Sequence, residues 1–231
     1  MLNFSQTKFF TTVAKLADLP KNSLAEIAFA GRSNAGKSSA INTLTNQTRL
    51  AYVSKTPGRT QNLNYFVIPE NNQNAQNAQN AQNVQNVQNE ENNLCKFLVD
   101  LPGYGYAKAP LEIRKQWDNL IAPYLLNSPS LKALVAIMDI RHPLTTLDSQ
   151  LLCWFCQTQK PVHIVLTKAD KLSRQQQNKT LAEVEKAVTE LLAQNGLQNA
   201  KDKFSLQIFS SLKKIGKDVL KNKLAEFLNV E

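Results

Sequence analysis

The sequence predicts an α/β fold, a doubly wound mixed sheet of about six strands in which one strand is antiparallel to the others. Three observations carry this expectation. Short apolar runs alternate along the chain with segments of helical periodicity. Residues 31–38 read Gly-Arg-Ser-Asn-Ala-Gly-Lys-Ser directly after one such run, the pattern G-x-x-x-x-G-K-[ST] of a phosphate-binding P-loop. The run Leu134-Val135-Ala136-Ile137-Met138 is continuously apolar, as a parallel strand covered on both faces requires.

The elements follow in order. Residues 1–24 read as a short N-terminal extension with little periodicity, and residues 25–231 as the domain proper. The first strand spans about 26–30. The P-loop helix runs over about 37–46, with Ile41 and Leu44 as its apolar face. Residues 47–60 lack apolar periodicity and contain Thr56-Pro57-Gly58-Arg59-Thr60, a loop able to rearrange. Residues 61–68 and 94–100 read as strands that pair antiparallel. The insert between them, 71–93, repeats Ala-Gln-Asn and Val-Gln-Asn. It has too little charge and apolar area to offset the entropy of ordering, so a disordered loop at a hairpin tip is expected.

A Gly/Tyr-rich loop from 104 leads into a helix from about 111, carrying Ile113, Trp117, Leu120, Ile121 and Tyr124. The strand at 134–139 precedes a helix over about 145–158, then a strand at 162–166. The next helix runs from Ser173 to Gly196 with Leu181, Val184, Val188, Leu191 and Leu192 as its buried stripe. A strand at 204–209 and a helix over about 216–229 complete the alternation. The site is expected at the C-terminal edges of the parallel strands.

The motifs then specify the ligand. Gly31 and Gly36 let the backbone curl so that successive N–H groups face phosphate oxygens. Lys37 suits the β- and γ-phosphates, and the Ser38 hydroxyl suits Mg²⁺. Asp100 ends a strand in the pattern Asp-x-x-Gly. It suits a water-mediated contact to Mg²⁺, while the Gly103 N–H can meet the γ-phosphate. Thr167-Lys168-Ala169-Asp170 is similar to the guanine-reading motif N-K-x-D. The Asp170 carboxylate can accept from both N1–H and N2–H₂ of guanine, and adenine has a donor at neither place. Lys168 can lay its aliphatic stem over the base. Phe209-Ser210-Ser211 follows the last strand, where a backbone N–H can donate to guanine O6. A P-loop kinase or ATPase has no use for the Thr167–Asp170 segment. The class is therefore a P-loop NTPase G domain.

Composition sets further bounds. With 231 residues, 42% of them hydrophobic, the chain can bury one large core. No apolar run approaches the ~18 residues of a membrane span, so a cytoplasmic protein without membrane insertion is expected. Three cysteines make no disulfide framework, and Cys153-Trp154-Phe155-Cys156 lies inside a helical segment, which favours buried thiols over redox chemistry. His142 and His163 have no ligand-spaced partners. The formal charge is +9, and residues 201–223 hold seven lysines against Asp202 and Asp218. Either a solvated helix face or an RNA-facing patch fits that excess. Asp139, Arg141 and His142 stand just past a strand at the site's edge, open to a functional contact or to turn and cap roles.

Taken together, Ala-Gly-Arg-Ser-Asn-Ala-Gly-Lys-Ser-Ser at 30–39, Ser-Lys-Thr-Pro-Gly-Arg-Thr-Gln at 54–61 and Asp-Leu-Pro-Gly-Tyr-Gly-Tyr-Ala at 100–107 resemble bacterial EngB-type (YihA or YsxC type) GTPases of the Era-like group. Met-Asp-Ile-Arg-His-Pro-Leu at 138–144, Thr-Lys-Ala-Asp at 167–170 and Phe-Ser-Ser-Leu-Lys-Lys at 209–214 extend the resemblance to about residues 4–229. The insert at 71–93 departs from the family.

The resemblance implies a monomeric, GTP-hydrolysing assembly factor for the large ribosomal subunit, meeting rRNA rather than DNA, with an indirect role in septation and cell division. It implies a Mg²⁺ held by Ser38 and Thr60, with Asp100 acting through water. Lys37, Thr60 and Gly103 would be the catalytic residues. GTP or GDP would lie against Gly31, Arg32, Ser33, Asn34, Ala35, Gly36, Lys37, Ser38, Ser39, Gly58, Arg59, Thr60, Gln61, Asp100, Leu101, Pro102, Gly103, Thr167, Lys168, Ala169, Asp170, Phe209, Ser210 and Ser211. Asn34 stands where Era-like GTPases use an Asn to coordinate K⁺. Tyr104 stands where Ras-like enzymes carry a water-orienting Gln, which implies slow intrinsic hydrolysis. A nucleotide-switched RNA-binding adaptor with negligible turnover is the alternative reading.

Overall fold

A computed structural model describes residues 2–52, 62–69, 94–105 and 117–229. Gly58, Arg59, Thr60 and Gln61, the insert at 71–93 and the start of the helix expected from 111 lie outside them.

Among the described residues the sheet has seven strands: β1 (Lys8–Val13), β2 (Ser23–Gly31), β3 (Leu63–Ile68), β4 (Cys95–Asp100), β5 (Leu131–Asp139), β6 (Val162–Thr167) and β7 (Phe204–Ile208). Their order is β1-β3-β4-β2-β5-β6-β7. The five strands from β4 to β7 in that order pair in parallel. β3 is antiparallel to both β4 and β1. One strand therefore runs against the other six, as expected, and the strands at 61–68 and 94–100 do pair, with Asn64 opposite Asp100.

The strand beyond the expected six is β1, inside the N-terminal segment. Its sequence Lys-Phe-Phe-Thr-Thr-Val favours a strand by composition. Alternation is lost because an edge strand leaves both faces largely exposed, and because the register shifts between Phe9 and Thr11. That bulge lets adjacent phenylalanines find separate partners. Phe9 meets Phe66 edge-on at 6.1 Å between ring centroids, and Phe10 meets Phe97 at 5.1 Å.

Five helices among the described residues flank the sheet: α1 (Lys37–Leu44), α2 (Ala122–Asn127), α3 (Thr146–Cys156), α4 (Arg174–Gln194) and α5 (Lys217–Leu228). A π-helical turn over Trp117–Ile121 leads into α2. The strands sort their side chains by parity. Ala28, Ala30, Leu134, Ala136 and Met138 face Tyr124, Leu152 and Val184 of α2, α3 and α4. Ile27, Phe29, Ala133, Val135 and Ile137 face Ile41 and Leu44 of α1 and Leu220 and Leu224 of α5. Both faces of the central strands are thus covered, which explains their unbroken apolar sequence. On α4 the expected stripe holds: Val184, Val188 and Leu192 are buried, and Leu181 and Leu191 pack partly against the same core. Ser173 and Gln176 cap that helix reciprocally, at 2.9 and 3.3 Å. Cys153 is half-buried and Cys156 buried on α3, and burial pushes the Cys156 thiol up to about 11. Among the described residues no helix is long and apolar enough to cross a membrane.

A polar knot closes the end of the sheet away from the P-loop. Glu26 of β2 is buried, and its Oε2 accepts from the Tyr124 hydroxyl at 2.7 Å and the Tyr65 hydroxyl at 3.4 Å. Burial pushes the Glu26 carboxyl above its ordinary value, and the hydroxyl donors pull part of that back. A raised carboxyl pKa means that the stabilising contribution is full below the unfolded-state value. It is lost as pH rises through the folded-state value. Above that point the carboxylate depends on its donors. Tyr124→Phe should therefore lower stability by about 1–3 kcal/mol at pH 8 and by less at pH 4.5, measured by urea unfolding beside the wild type.

Candidate functional site

The parallel strands end together. Phe29 is opposite Asp100, Gly31 opposite Ile137, Asp139 opposite Thr167, and Leu166 opposite Ile208. This register gathers the three separate motifs at one sheet edge.

The loop at 32–36 leaves β2 and enters α1 through Gly36, whose φ of +101° only glycine adopts without strain. Asn34 is also left-handed, at φ +62°. The loop is held from outside by consecutive residues at the end of β6. The buried Thr167 hydroxyl donates to the carbonyls of Ala35 and, at 3.0 Å, Met138. Lys168 Nζ donates to the Asn34 carbonyl at 2.7 Å. With the Asn34 and Ala35 carbonyls held from behind, the loop delivers the chain into the N-terminus of α1, whose first-turn N–H groups suit a phosphate.

Lys37 and Asp100 are brought together. The Lys37 ammonium donates to Asp100 Oδ1, and both side chains are more than nine-tenths buried. The Asp-x-x-Gly segment runs directly against the P-loop. Leu101 N–H donates to the Phe29 carbonyl at 3.0 Å, Tyr104 N–H to the Gly31 carbonyl at 3.3 Å, and Ser33 N–H to the Tyr104 carbonyl at 3.0 Å. A Cβ on Gly103 would stand 3.3 Å from Ser33 N. Leu101 and Pro102 are buried beneath. The Tyr104 side chain turns inward, donating to Asp148 Oδ1 at 2.8 Å and meeting Trp117 edge-on at 5.9 Å. Asp148 in turn accepts from Thr145 N–H at 2.9 Å at the start of α3.

The side that carries the Thr167–Asp170 motif is equally closed. Ala169 N–H donates to the Phe209 carbonyl at 3.0 Å, and Phe209 N–H to the Leu166 carbonyl at 2.7 Å. The buried Ser210 hydroxyl donates to Asp170 Oδ1 at 2.5 Å and accepts from Lys213 N–H at 3.1 Å. That hydroxyl holds the Asp170 carboxyl below the usual range, so it stays an acceptor. The loop after Ser210 closes at Gly216, φ +71°, where a Cβ would stand 2.2 Å from the Ile208 carbonyl oxygen. Gln207 Nε2 donates to the Gly216 carbonyl at 2.8 Å, which turns Gln207 Oε1 toward His163 Nε2 at 2.9 Å. Gln207 Oε1 can only accept, so His163 is a buried strut with a proton on Nε2, and Nδ1 meets the Ser205 hydroxyl at 2.8 Å. Burial pushes its pKa down. Ser211 and Ser39 face one cavity of about 370 Å³ with Asn42, Thr43, Asn46 and Lys214.

The structure thus brings together residues 31–39, 100–103, 167–170 and 209–211. Two contributors carried no motif. Asp148 is legible only as the acid of the stretch Thr145-Thr146-Leu147-Asp148 before an apolar helix. Asn42 pins the chain after α1, donating to the Ala51 carbonyl at 2.8 Å and accepting from Ala51 N–H at 2.7 Å. Hydroxyl and carboxylate oxygens such as those of Ser38 and Asp100 suit Mg²⁺. Among the described residues no three His, Cys, Asp or Glu side chains gather into a cage.

Residues 26–168 match the family described as 50S ribosome-binding GTPase. The chain is 50% identical over 228 residues to "Probable GTP-binding protein EngB" of Dechloromonas aromatica (strain RCB), covering 99% of this chain and 90% of that protein. It is 51% identical over 215 residues to the protein of the same name from Neisseria gonorrhoeae (strain NCCP11945), covering 93% and 88%. A crystal structure of a probable GTP-binding protein EngB superposes with a TM-score of 0.54 at 19% identity, over 88% of this chain and 98% of that one. A tyrosine-to-alanine variant of Aquifex aeolicus Era bound to GDP·AlF₄⁻ gives 0.62 at 18% identity, over 90% and 58%. These two structural likenesses speak for the fold.

Asp170 has one carboxylate oxygen on Ser210 and faces Lys171 with the other at 3.7 Å. Asp170→Asn should weaken guanine-nucleotide binding by about tenfold or more and relax discrimination against xanthine nucleotides, since an amide can pair with the xanthine 2-oxo group. Competition binding with GDP and XDP reads this out; unchanged guanine preference would remove Asp170 from base reading.

Proposed function

The chain belongs to the 50S ribosome-binding GTPase family, and from that premise we propose that it is a GTP-hydrolysing switch in assembly of the large ribosomal subunit, acting on rRNA-containing particles. The observation that carries the switch is the pairing of Gly103 and Tyr104 with the P-loop. A segment in hydrogen-bond contact with Gly31 and Ser33 must respond when a γ-phosphate enters beside it.

In this reading Lys37 moves from Asp100 to the β- and γ-phosphates. Mg²⁺ would be held by Ser38 and Thr60 and, through water, by Asp100; when bound it neutralises charge on the phosphates. Gly103 N–H meets the γ-phosphate. Asp170 reads guanine N1–H and N2–H₂, and a backbone N–H at Ser210–Ser211 reads O6. Such an exchange would leave neither buried charge alone, since phosphate oxygens can take the place of the carboxylate beside Lys37, and Asp100 would face the positive charge that Mg²⁺ supplies when bound. Tyr104 is committed to Asp148 and cannot orient water, so the intrinsic rate should be low. Asn34, exposed on the loop, offers its amide oxygen to a K⁺ beside the phosphates, which would supply positive charge in the transition state. Hydrolysis should then run faster in K⁺ than in Na⁺, with the difference lost in Asn34→Ala. Equal phosphate-release rates in the two salts would remove the K⁺ site.

The partner follows from charge placed beside the base site. Lys213 and Lys214 are exposed on the loop that carries Ser210, and the Lys217 ammonium reaches Asn46 beyond the end of α1. These positions follow the guanine motif without reading the base. An indirect effect on septation would follow from impaired ribosome supply. Reversing Lys213, Lys214 and Lys217 to Glu should cut co-sedimentation with 50S particles and flatten its salt dependence, while GTP affinity stays within about threefold. Undiminished co-sedimentation would move the rRNA surface elsewhere.

A further inference from the structure

Asp139 ends β5 opposite Thr167, so its carboxylate lies beside Lys168. Four donors converge on it. Oδ1 accepts from Arg141 N–H at 3.1 Å and Arg141 Nε at 3.0 Å. Oδ2 accepts from Arg141 Nη2 at 2.6 Å and Lys168 Nζ at 2.8 Å. The same Lys168 ammonium holds the Asn34 carbonyl at 2.7 Å. Arg141, Asp139, Lys168 and Asn34 therefore form a chain from solvent to the P-loop, along one wall of a cavity of about 260 Å³.

We propose that Asp139 and Arg141 are positioning residues of the nucleotide site. Their bidentate pair fixes the Lys168 ammonium against the Asn34 carbonyl, and so sets both the P-loop's middle turn and the lysine stem beside the base. A lysine side chain has several rotamers and only a third of this one is exposed. With the Asn34 carbonyl alone as acceptor, its ammonium can swing to water; with Asp139 as second acceptor, it is caught between two fixed points. What it holds is a non-glycine residue at φ +62°, a turn that relaxes when released. Asp139 also closes the turn after β5, through its carboxylate on Arg141 N–H and its carbonyl accepting from His142 N–H at 2.9 Å, and that turn has no need of the bond to Lys168. Both cations, Arg141 and Lys168, are partly exposed, so little of the pairs' effect should appear in global stability. It should appear in how long a nucleotide stays.

The test is a double-mutant cycle on release of a fluorescent GDP analogue from the full chain, with melting of the nucleotide-free protein measured in parallel. Asp139→Asn should speed release about tenfold and Arg141→Ala about threefold, with melting temperatures nearly unchanged. In a Lys168→Ala background, itself faster than wild type, neither change should add a further factor. The same factor in both backgrounds would overturn the proposal, because Asp139 would then act without Lys168. Unaltered release in Asp139→Asn would overturn it too. If Asp139→Asn melts early, the Arg141→Ala and Lys168→Ala cycle decides the question alone.

Discussion

Two side chains at the end of β6 hold the nucleotide site together. Thr167 and Lys168 donate to the carbonyls of Ala35 and Asn34, and Lys168 is followed within two residues by Asp170. The P-loop and the turn proposed to read the base are therefore not two sites on one scaffold. They are tied through consecutive residues of a single strand end. This works only because β2, β5 and β6 are adjacent, parallel and in register, so that Gly31, Ile137 and Leu166 reach the same edge. The sheet's unbroken apolar strands serve that requirement. Covered on both faces by helices, they hold the edge to which every polar group of the site is attached.

The two ends of the sheet manage buried charge in opposite ways. At the far end, Glu26 is satisfied by tyrosine hydroxyls from β3 and α2, partners that cannot leave without unpacking the core. At the site end, Lys37 and Asp100 satisfy each other. A pair of this kind adds little net stability, since desolvation consumes most of the Coulomb gain. Its value lies in exchange. In the proposed reading both groups are kept buried and in place for a ligand that brings matched charges of its own, and a hydrophobic pair in that place could bind neither phosphate nor cation.

Much of this was legible in the sequence because the relevant constraints are local. Gly31 through Ser38 must be contiguous to wrap a phosphate, and Asp170 must follow a strand end, so both motifs survive as strings. The parallel strands are legible because burial on two faces leaves continuous apolar runs. What the sequence hid were constraints satisfied across the fold. β1 escaped because an exposed, bulged edge strand has no alternation to read. Asp148 escaped as a site residue because its partner, Tyr104, is far along the chain and a lone aspartate near a helix start looks like a cap, while Asp139 was legible at the site's edge but its bond to Lys168 was not. His163 sat in an apolar run that gave no sign of its tie, through Gln207, to the loop closed at Gly216. The loop at 54–61, legible as a motif, lies outside the described residues.

The position of Tyr104 then bears on how turnover is controlled. Its backbone belongs to the P-loop's hydrogen-bond pattern, and its side chain belongs to the core beside Trp117 and Asp148. Freeing the hydroxyl would leave a buried carboxylate with one donor fewer at the start of α3, and the ring's packing would be lost as well. The residue is thus fixed as a structural hinge-pin at the place where a water-orienting side chain would have to be mobile and polar. In the proposed reading, rate enhancement then comes from charge placed at the phosphates or from groups brought by a partner, and turnover would be coupled to docking. Slow intrinsic hydrolysis, as proposed above, follows from that anchoring.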